Sequence, residues 1–351
     1  YPQEFVNELT KAGYLSSLIP EEYGGLGLPL SVGVAILEEI HKSGCNAAAC
    51  HAQMYTMGTL LRYGSGTQKH EYLPKIANGS LRLQAFGVTE PSSGSDTTSL
   101  KCNAILKGNV YYINGQKIWT SRAEYSDLLL LLARTTPKDK TEKRTDGLSV
   151  FIVDLNKVPK ETITIKPIRT MMNHSTTEIF FDNMPVPSKN LIGEEGKGFK
   201  YILSGMNAER ILIAAECIGD AKWFINKATN YSSERKIFER PIGKNQGIQF
   251  PIARAYSQMR AAELMLNEAT KLFDNGNNPG EEANLAKLLS ADAQWTAAEA
   301  CIQTYGGFGF AEEYDIERKY REARLYQVAP ISTNMILSYI AEHVLKMPRS
   351  Y

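Results

Sequence analysis

The stretch Thr89-Glu90-Pro91-Ser92-Ser93-Gly94-Ser95-Asp96, followed by Gln116-Lys117-Ile118-Trp119-Thr120-Ser121, decides how this chain is read. The first segment is a turn dense in hydroxyls and open backbone N–H groups, which suits hydrogen bonding to a ring edge and a phosphate. The second ends a predicted strand with a large flat aromatic and two hydroxyls. That end suits stacking beside a flat heterocycle and bonding to its edge. Neither segment decides alone, because polar turns are common and an isolated strand Trp is more often core.

Working outward, three zones differ in period. Up to Gln84 the apolar residues fall at helical spacing, as in Val32, Val34, Leu37 and Ile40, broken by the Gly24-Gly25-Leu26-Gly27 loop. From Ala85 to Pro187 the texture turns to short β-rich runs: Val110–Ile113, Leu128–Leu132, Leu148–Val153, Ile163–Ile165 and Glu178–Phe181. Asn114-Gly115, between two such runs, predicts a hairpin turn. From Gly196 onward long amphipathic helices return, separated by Asn278-Pro279-Gly280, with Gly306-Gly307 ending another. The order is α, β, α. It predicts an N-terminal helical domain over 1–84, a central β domain over 85–190 and a C-terminal helical domain over 191–351.

The 351 residues suffice for two or three packed layers. Basic and acidic residues number 39 and 38, for a net charge of +1, which argues against a nucleic-acid footprint and against a membrane-surface binder. The five cysteines, Cys45, Cys50, Cys102, Cys217 and Cys301, are odd in number and lack paired metal-type spacing. They read as reduced structural thiols, no metal is expected, and the compartment is cytoplasmic in type. No apolar run is long enough to span a bilayer, and the start shows no signal-peptide pattern. The chain begins at Tyr1, so the first domain is expected to lack its start. A removed transit peptide would place the protein in the mitochondrial matrix instead.

Two later segments suit the same kind of ligand. Arg235-Lys236-Ile237-Phe238 lies at a predicted helix end and is followed by Pro241, Gly243 and Gln246. Gln303-Thr304-Tyr305-Gly306-Gly307-Phe308-Gly309-Phe310 closes an alanine-rich helix with a glycine loop. An arginine gives charge-assisted bonds to a pyrophosphate, and glycines let backbone N–H groups approach one.

These segments, in this order and spacing, resemble the acyl-CoA dehydrogenase family across essentially the whole chain. The resemblance extends to Pro20-Glu21-Glu22-Tyr23-Gly24-Gly25-Leu26-Gly27, Asp182-Asn183-Met184-Pro185-Val186-Pro187 and Gly193-Glu194-Glu195-Gly196-Lys197-Gly198-Phe199. It implies an α+β fold with an N-terminal helical domain, a β-barrel-like middle domain and a C-terminal four-helix bundle, assembled as a homotetramer. It implies FAD, held by Phe86, Val88, Thr89, Gly94, Ser95, Trp119, Thr120 and Ser121, with Ser121 near flavin N5. Arg235, Phe238, Gln246, Gln303, Gly306 and Gly307 match positions that reach a neighbour's FAD, and Ser332 and Asn334 match further FAD-contacting positions. Ser95, Asn207 and Arg210 match substrate-binding positions, and an electron-transferring flavoprotein is the implied electron acceptor.

The implied reaction is α,β-dehydrogenation of an acyl-CoA thioester: a carboxylate removes the α-proton while the β-hydrogen leaves as hydride to flavin N5. In many members the base stands on a late loop, after a run that here reads Arg321-Glu322-Ala323-Arg324. Its position falls on Pro330, which also lacks the backbone N–H that assists the substrate carbonyl in the family. A second family arrangement, seen in isovaleryl-CoA and some long-chain dehydrogenases, places the glutamate just before an arginine on the first long C-terminal helix. Asn207-Ala208-Glu209-Arg210 stands there. Independently of the family, Glu209 shares a helical face with Ile202, Met206, Ile213 and Glu216, an apolar stripe that raises a carboxyl pKa. Glu209 is thus the candidate base, with Glu216 deeper on the same face as the alternative. Two further readings stay open: a flavin oxidase or monooxygenase of the same fold, and a flavin-binding relative without dehydrogenase activity.

Overall fold

The computed structural model describes residues 1–172 and 174–350. Its N-terminal elements are α1 (Gln3–Lys11), α2 (Leu30–Lys42), α3 (Ala48–Tyr63) and α4 (Gly66–Ala77). The strands follow as β1 (Leu83–Gly87), β2 (Asn103–Lys107), β3 (Val110–Ser121), β4 (Leu128–Arg134), β5 (Leu148–Asp154), β6 (Ile163–Pro167), β7 (Thr176–Pro187) and β8 (Leu191–Ile192). Then come α5 (Gly198–Glu234), the short pair β9 (Lys236–Ile237) and β10 (Arg240–Pro241), α6 (Gln246–Asp274), α7 (Gly280–Tyr305), α8 (Ile316–Ala323) and α9 (Thr333–Tyr339). Tyr1–Leu28 and Ala48–Met206 form one compact unit, and Pro29–Ala47 with Asn207 onward form the second.

In the first unit the strands run in the order β6-β7-β3-β2-β4-β5-β8, with β1 parallel to β4. β4, Leu-Leu-Leu-Leu-Leu-Ala-Arg, is buried at every position because both of its faces are covered. Alternation sends Leu128, Leu130 and Leu132 against Met57 and Leu60 of α3 and Leu73 and Ile76 of α4. Leu129, Leu131 and Ala133 face Tyr111, Phe151 and Ile179 on the other side. Each buried leucine contributes about 1.5–3 kcal/mol, so this strand anchors two apolar clusters at once. The barrel-like expectation needs one correction: among the described residues the strand path does not close. At one end β8 offers only two residues for pairing, and at the other β6 pairs with β7 alone.

Asn114-Gly115 is not a hairpin turn. Both residues lie inside β3, where its register with β7 shifts between Ile113 and Gly115. Gly115 has φ +138°, and a Cβ there would sit 2.7 Å from Cys102 Cα, so the glycine permits a close backbone approach. The turn is Gly108-Asn109, between β2 and β3, with Gly108 at φ +60°.

The second unit is a helical bundle built on α5, α6 and α7, and α2 belongs to it although the β region separates them in sequence. The Asp274 carboxylate at the end of α6 accepts from the N–H groups of Leu30 (2.9 Å) and Ser31 (3.2 Å), capping α2 from a distance. Farther along α2, Glu38 shares Lys222 with Glu263. His41 Nε2 accepts from the Ala47 N–H, so Nδ1 carries the proton and donates to Asp220 at 2.8 Å. Asp220 also pairs with Lys319 and accepts from Gln294. Burial opposes its charge, yet Lys319 and His41 hold its carboxyl below the usual range. No helix among the described residues is long and apolar enough to cross a membrane.

Candidate active site

The hydroxyl-rich turn of the first unit is held by a buried ion pair. Lys117 on β3 donates to Glu90 at 2.8 Å and to the Val88 carbonyl at 2.9 Å. The Glu90 carboxylate also accepts from the N–H groups of Lys101 (2.6 Å) and Cys102 (2.9 Å). With this anchor beneath it, the turn closes through paired backbone bonds between Glu90 and Ser93 and through Ser93 Oγ to the Asp96 carbonyl. Hydrogen bonds from Ser99 and Thr98 hold the Asp96 carboxyl below its usual pKa. Gly94 stands open, since a Cβ there would meet nothing within 4 Å. Ser95 is exposed, and Phe86, Val88 and Thr89 are half-buried.

β3 reaches this turn through the Ile118 N–H, which donates to the Thr89 carbonyl at 2.9 Å. Between Lys117 and Thr120 its register with β7 shifts again. The irregularity puts Trp119 at φ +61°, a strained conformation for a bulky residue, and leaves its indole 57% exposed. Ser121 is half-buried. The Thr120 hydroxyl is sealed from solvent without a partner, while its carbonyl accepts from Thr177 Oγ1 at 2.7 Å, so Thr120 can serve a ligand only through its backbone. An open turn beside an outward-held indole fits a flat heterocycle such as a flavin.

The second unit supplies the remaining candidates. α5 ends at Glu234, and Arg235 and Phe238 follow it, the latter at φ +50° and 94% exposed. Gln246 opens α6 and Gln303 lies in the last turn of α7, both exposed. Gly306 and Gly307 have no atom within 4 Å of an added Cβ. Tyr231 and Tyr305 stack at 4.0 Å, and the Arg235 guanidinium sits 5.4 Å from the Phe308 ring. Tyr231, Arg235, Tyr305, Gly306, Gly307 and Phe308 border a cavity of about 430 Å³, whose aromatic wall, arginine and bare glycines suit a dinucleotide.

Glu209 lies on α5, 6% exposed, and no hydrogen bond or ion pair reaches its carboxylate among the described residues. Burial pushes its pKa up to about 7, with Arg210 pulling the other way. Arg210 is turned aside by Asn207, whose Oδ1 accepts from Nη1 at 3.0 Å, and Asn207 in turn donates to Asn278 at 3.1 Å. The Arg210 Nε is buried without a partner, and burial lowers the Arg210 pKa. Glu216 is engaged instead of poised: it is 1% exposed and accepts from Tyr326 OH at 2.8 Å.

The segment carrying Pro330 is fixed by a residue the sequence reading did not single out. Lys287 of α7 is fully buried and donates to the carbonyls of Tyr326 (2.6 Å) and Ile331 (2.8 Å), on either side of Pro330. Beyond it, Ser332 caps α9 by accepting from the Met335 N–H at 3.3 Å, and Asn334 is exposed. Neither Lys287 nor the Glu90–Lys117 pair carried a signal in the sequence, because each partnership joins residues far apart in the chain.

Residues 1–80 match the N-terminal domain of acyl-CoA dehydrogenases, 85–184 the middle domain and 196–345 the C-terminal domain. The chain is 35% identical to an acyl-CoA dehydrogenase of Bacillus subtilis (strain 168), over 93% of this chain and 86% of that protein. It is 34% identical to the cyclohex-1-ene-1-carbonyl-CoA dehydrogenase of Syntrophus aciditrophicus (strain SB), over 96% and 80%. The butyryl-CoA dehydrogenase structure from Megasphaera elsdenii superposes with a TM-score of 0.90 at 28% identity, covering 98% of this chain and 90% of that one. The chain belongs to the acyl-CoA dehydrogenase family, whose members are FAD-dependent flavoproteins.

Proposed function

We propose that this protein catalyses α,β-dehydrogenation of an acyl-CoA thioester, with Glu209 as the base that takes the α-proton. The observation that carries the reading is the Glu209 carboxylate: buried, free of hydrogen bonds among the described residues, and poised at about 7. A base is most effective when its pKa lies near the working pH and water does not compete for it. FAD, when bound, supplies the two-electron acceptor for the β-hydrogen. Phe86, Val88, Thr89, Gly94, Ser95 and Trp119–Ser121 hold it, with Ser332 and Asn334. Arg235, Phe238, Gln246, Gln303, Gly306 and Gly307 reach the FAD of a neighbouring subunit in a homotetramer. Ser95, Asn207 and Arg210 hold the substrate, and an electron-transferring flavoprotein takes the electrons onward.

Pro330 narrows the substrate. Without an N–H at that position one carbonyl donor is lost, an effect of roughly 3 kcal/mol on the transition state. Lys287 clamps the loop on both sides of the proline and so resists a shift that would bring the Ile331 N–H into its place. A γ,δ-unsaturated or aryl-conjugated acyl group, whose allylic or benzylic β-hydrogen leaves more readily because the product is conjugated, needs less help. The test is anaerobic mixing of the FAD-loaded protein with conjugated and saturated acyl-CoA thioesters. Flavin bleaching, faster with the conjugated set, is expected. Absence of bleaching by every thioester would remove the dehydrogenase reading.

A further inference from the structure

Arg62, near the end of α3, has no part in the chemistry above. Its side chain is accessible, and its guanidinium lies against two glycines. A Cβ on Gly58, one turn earlier in α3, would sit 3.2 Å from each terminal nitrogen, and a Cβ on Gly205 of α5 would sit 2.7 Å from Nη2. Glycine on two separate helices therefore makes the seat. Next to it Tyr63 stacks on Tyr201 at 4.2 Å, closing α3 onto the start of α5. Among the described residues no carboxylate pairs with the guanidinium; burial lowers the Arg62 pKa, with the Tyr63 phenol acting the other way. A guanidinium that solvent reaches and that no carboxylate among the described residues pairs is free to bind an incoming oxyanion.

Neighbours on α3 tie this seat to the acyl-CoA reading. His51, Tyr55, Gly58 and Arg62 recur at helical spacing on one face of α3. Tyr55 meets the His51 ring at 5.1 Å and the Phe86 ring at 5.8 Å, where the flavin candidates begin.

We propose that Arg62 is a specificity-determining residue that holds an oxyanion of the acyl-CoA substrate. The guanidinium fork matches a carboxylate and a phosphate equally, so the oxyanion comes from a carboxyl group on the acyl moiety or from the phosphates of CoA. The proposal rests on the acyl-CoA reading above.

The test titrates the FAD-loaded wild type, Arg62→Met and Gly205→Ala calorimetrically with redox-inert thioethers. The probes are S-alkyl-CoA, S-carboxyalkyl-CoA of matched length, and S-carboxyalkyl-N-acetylcysteamine, which has no phosphate. Gly205→Ala keeps the arginine but displaces it from its seat, so both variants are expected to lose about 10- to 100-fold in affinity. A loss confined to the two carboxyalkyl probes identifies an acyl carboxylate; a loss on both CoA probes alone identifies the phosphates. Affinities within about twofold of wild type for every probe, or no binding by the wild type, would overturn the proposal. These probes carry no thioester, so binding is read apart from turnover. Absent bleaching with the affinity losses intact would count against the dehydrogenase reading only.

Discussion

Replacing Glu209 by Gln should stabilise the protein in alkaline solution and leave it nearly unchanged in acid. The carboxyl is raised from the ordinary 4.5 to about 7 by burial. Between those values the folded state holds a proton that the unfolded chain releases, so stability falls as pH rises through that window and levels off above 7. At 1.36 kcal/mol per pH unit the full effect is about 3 kcal/mol, complete near pH 8 and about 0.8 kcal/mol at pH 5. Gln is the shape of the protonated acid without its titration. Urea unfolding at pH 5 and pH 8, with FAD held at one excess concentration, should therefore show Glu209→Gln more stable than wild type by about 3 kcal/mol at pH 8 and by under about 1 kcal/mol at pH 5. Equal stabilities at pH 8, or a variant that is weaker there, would refute the claim that Glu209 is held in a desolvated site.

Other substitutions probe the supports of the site. Lys117→Met strips the buried Glu90 of its cation and should cost about 3–5 kcal/mol in urea unfolding; a cost under about 1 kcal/mol would mean the pair does not anchor the turn. Trp119→Ala should leave the melting temperature of the FAD-free protein almost unchanged, since the indole is largely exposed, while weakening FAD about tenfold by fluorescence titration. Unaltered FAD affinity would discard the stacking role. Lys287→Met leaves the carbonyls of Tyr326 and Ile331 unsatisfied, at about 1–3 kcal/mol, and should open the chain between them to limited proteolysis. Resistance equal to wild type would show the clamp is dispensable.

Much of this architecture is legible in the sequence because period is local. Val34 and Leu37 mark the buried face of α2, and Leu128–Leu132 marks a strand covered on both faces. Asn114-Gly115 misleads for the same reason: the dipeptide favours a turn, but the glycine answers to Cys102 across the sheet, and the turn falls at Gly108-Asn109. The placement of α2 depends on Asp274, Lys222 and Asp220, all more than 170 residues away in the chain. The buried position of Glu209 is legible because an apolar helical stripe around a carboxylate is itself a sequence pattern. Arg62 is not, since its seat is made by residues that have no side chains.

The base assignment is tested most directly by the rate of flavin bleaching. Wild type and Glu209→Gln, loaded with FAD, would be mixed anaerobically in a rapid-mixing spectrophotometer with the thioester that bleaches the wild type best. Removing a general base slows its step by about 10²- to 10⁴-fold. The account predicts a loss of that size in Glu209→Gln with thioester affinity nearly intact, and a wild-type rate that climbs with pH through about 7 to a plateau. Bleaching by Glu209→Gln within about tenfold of the wild-type rate would contradict it.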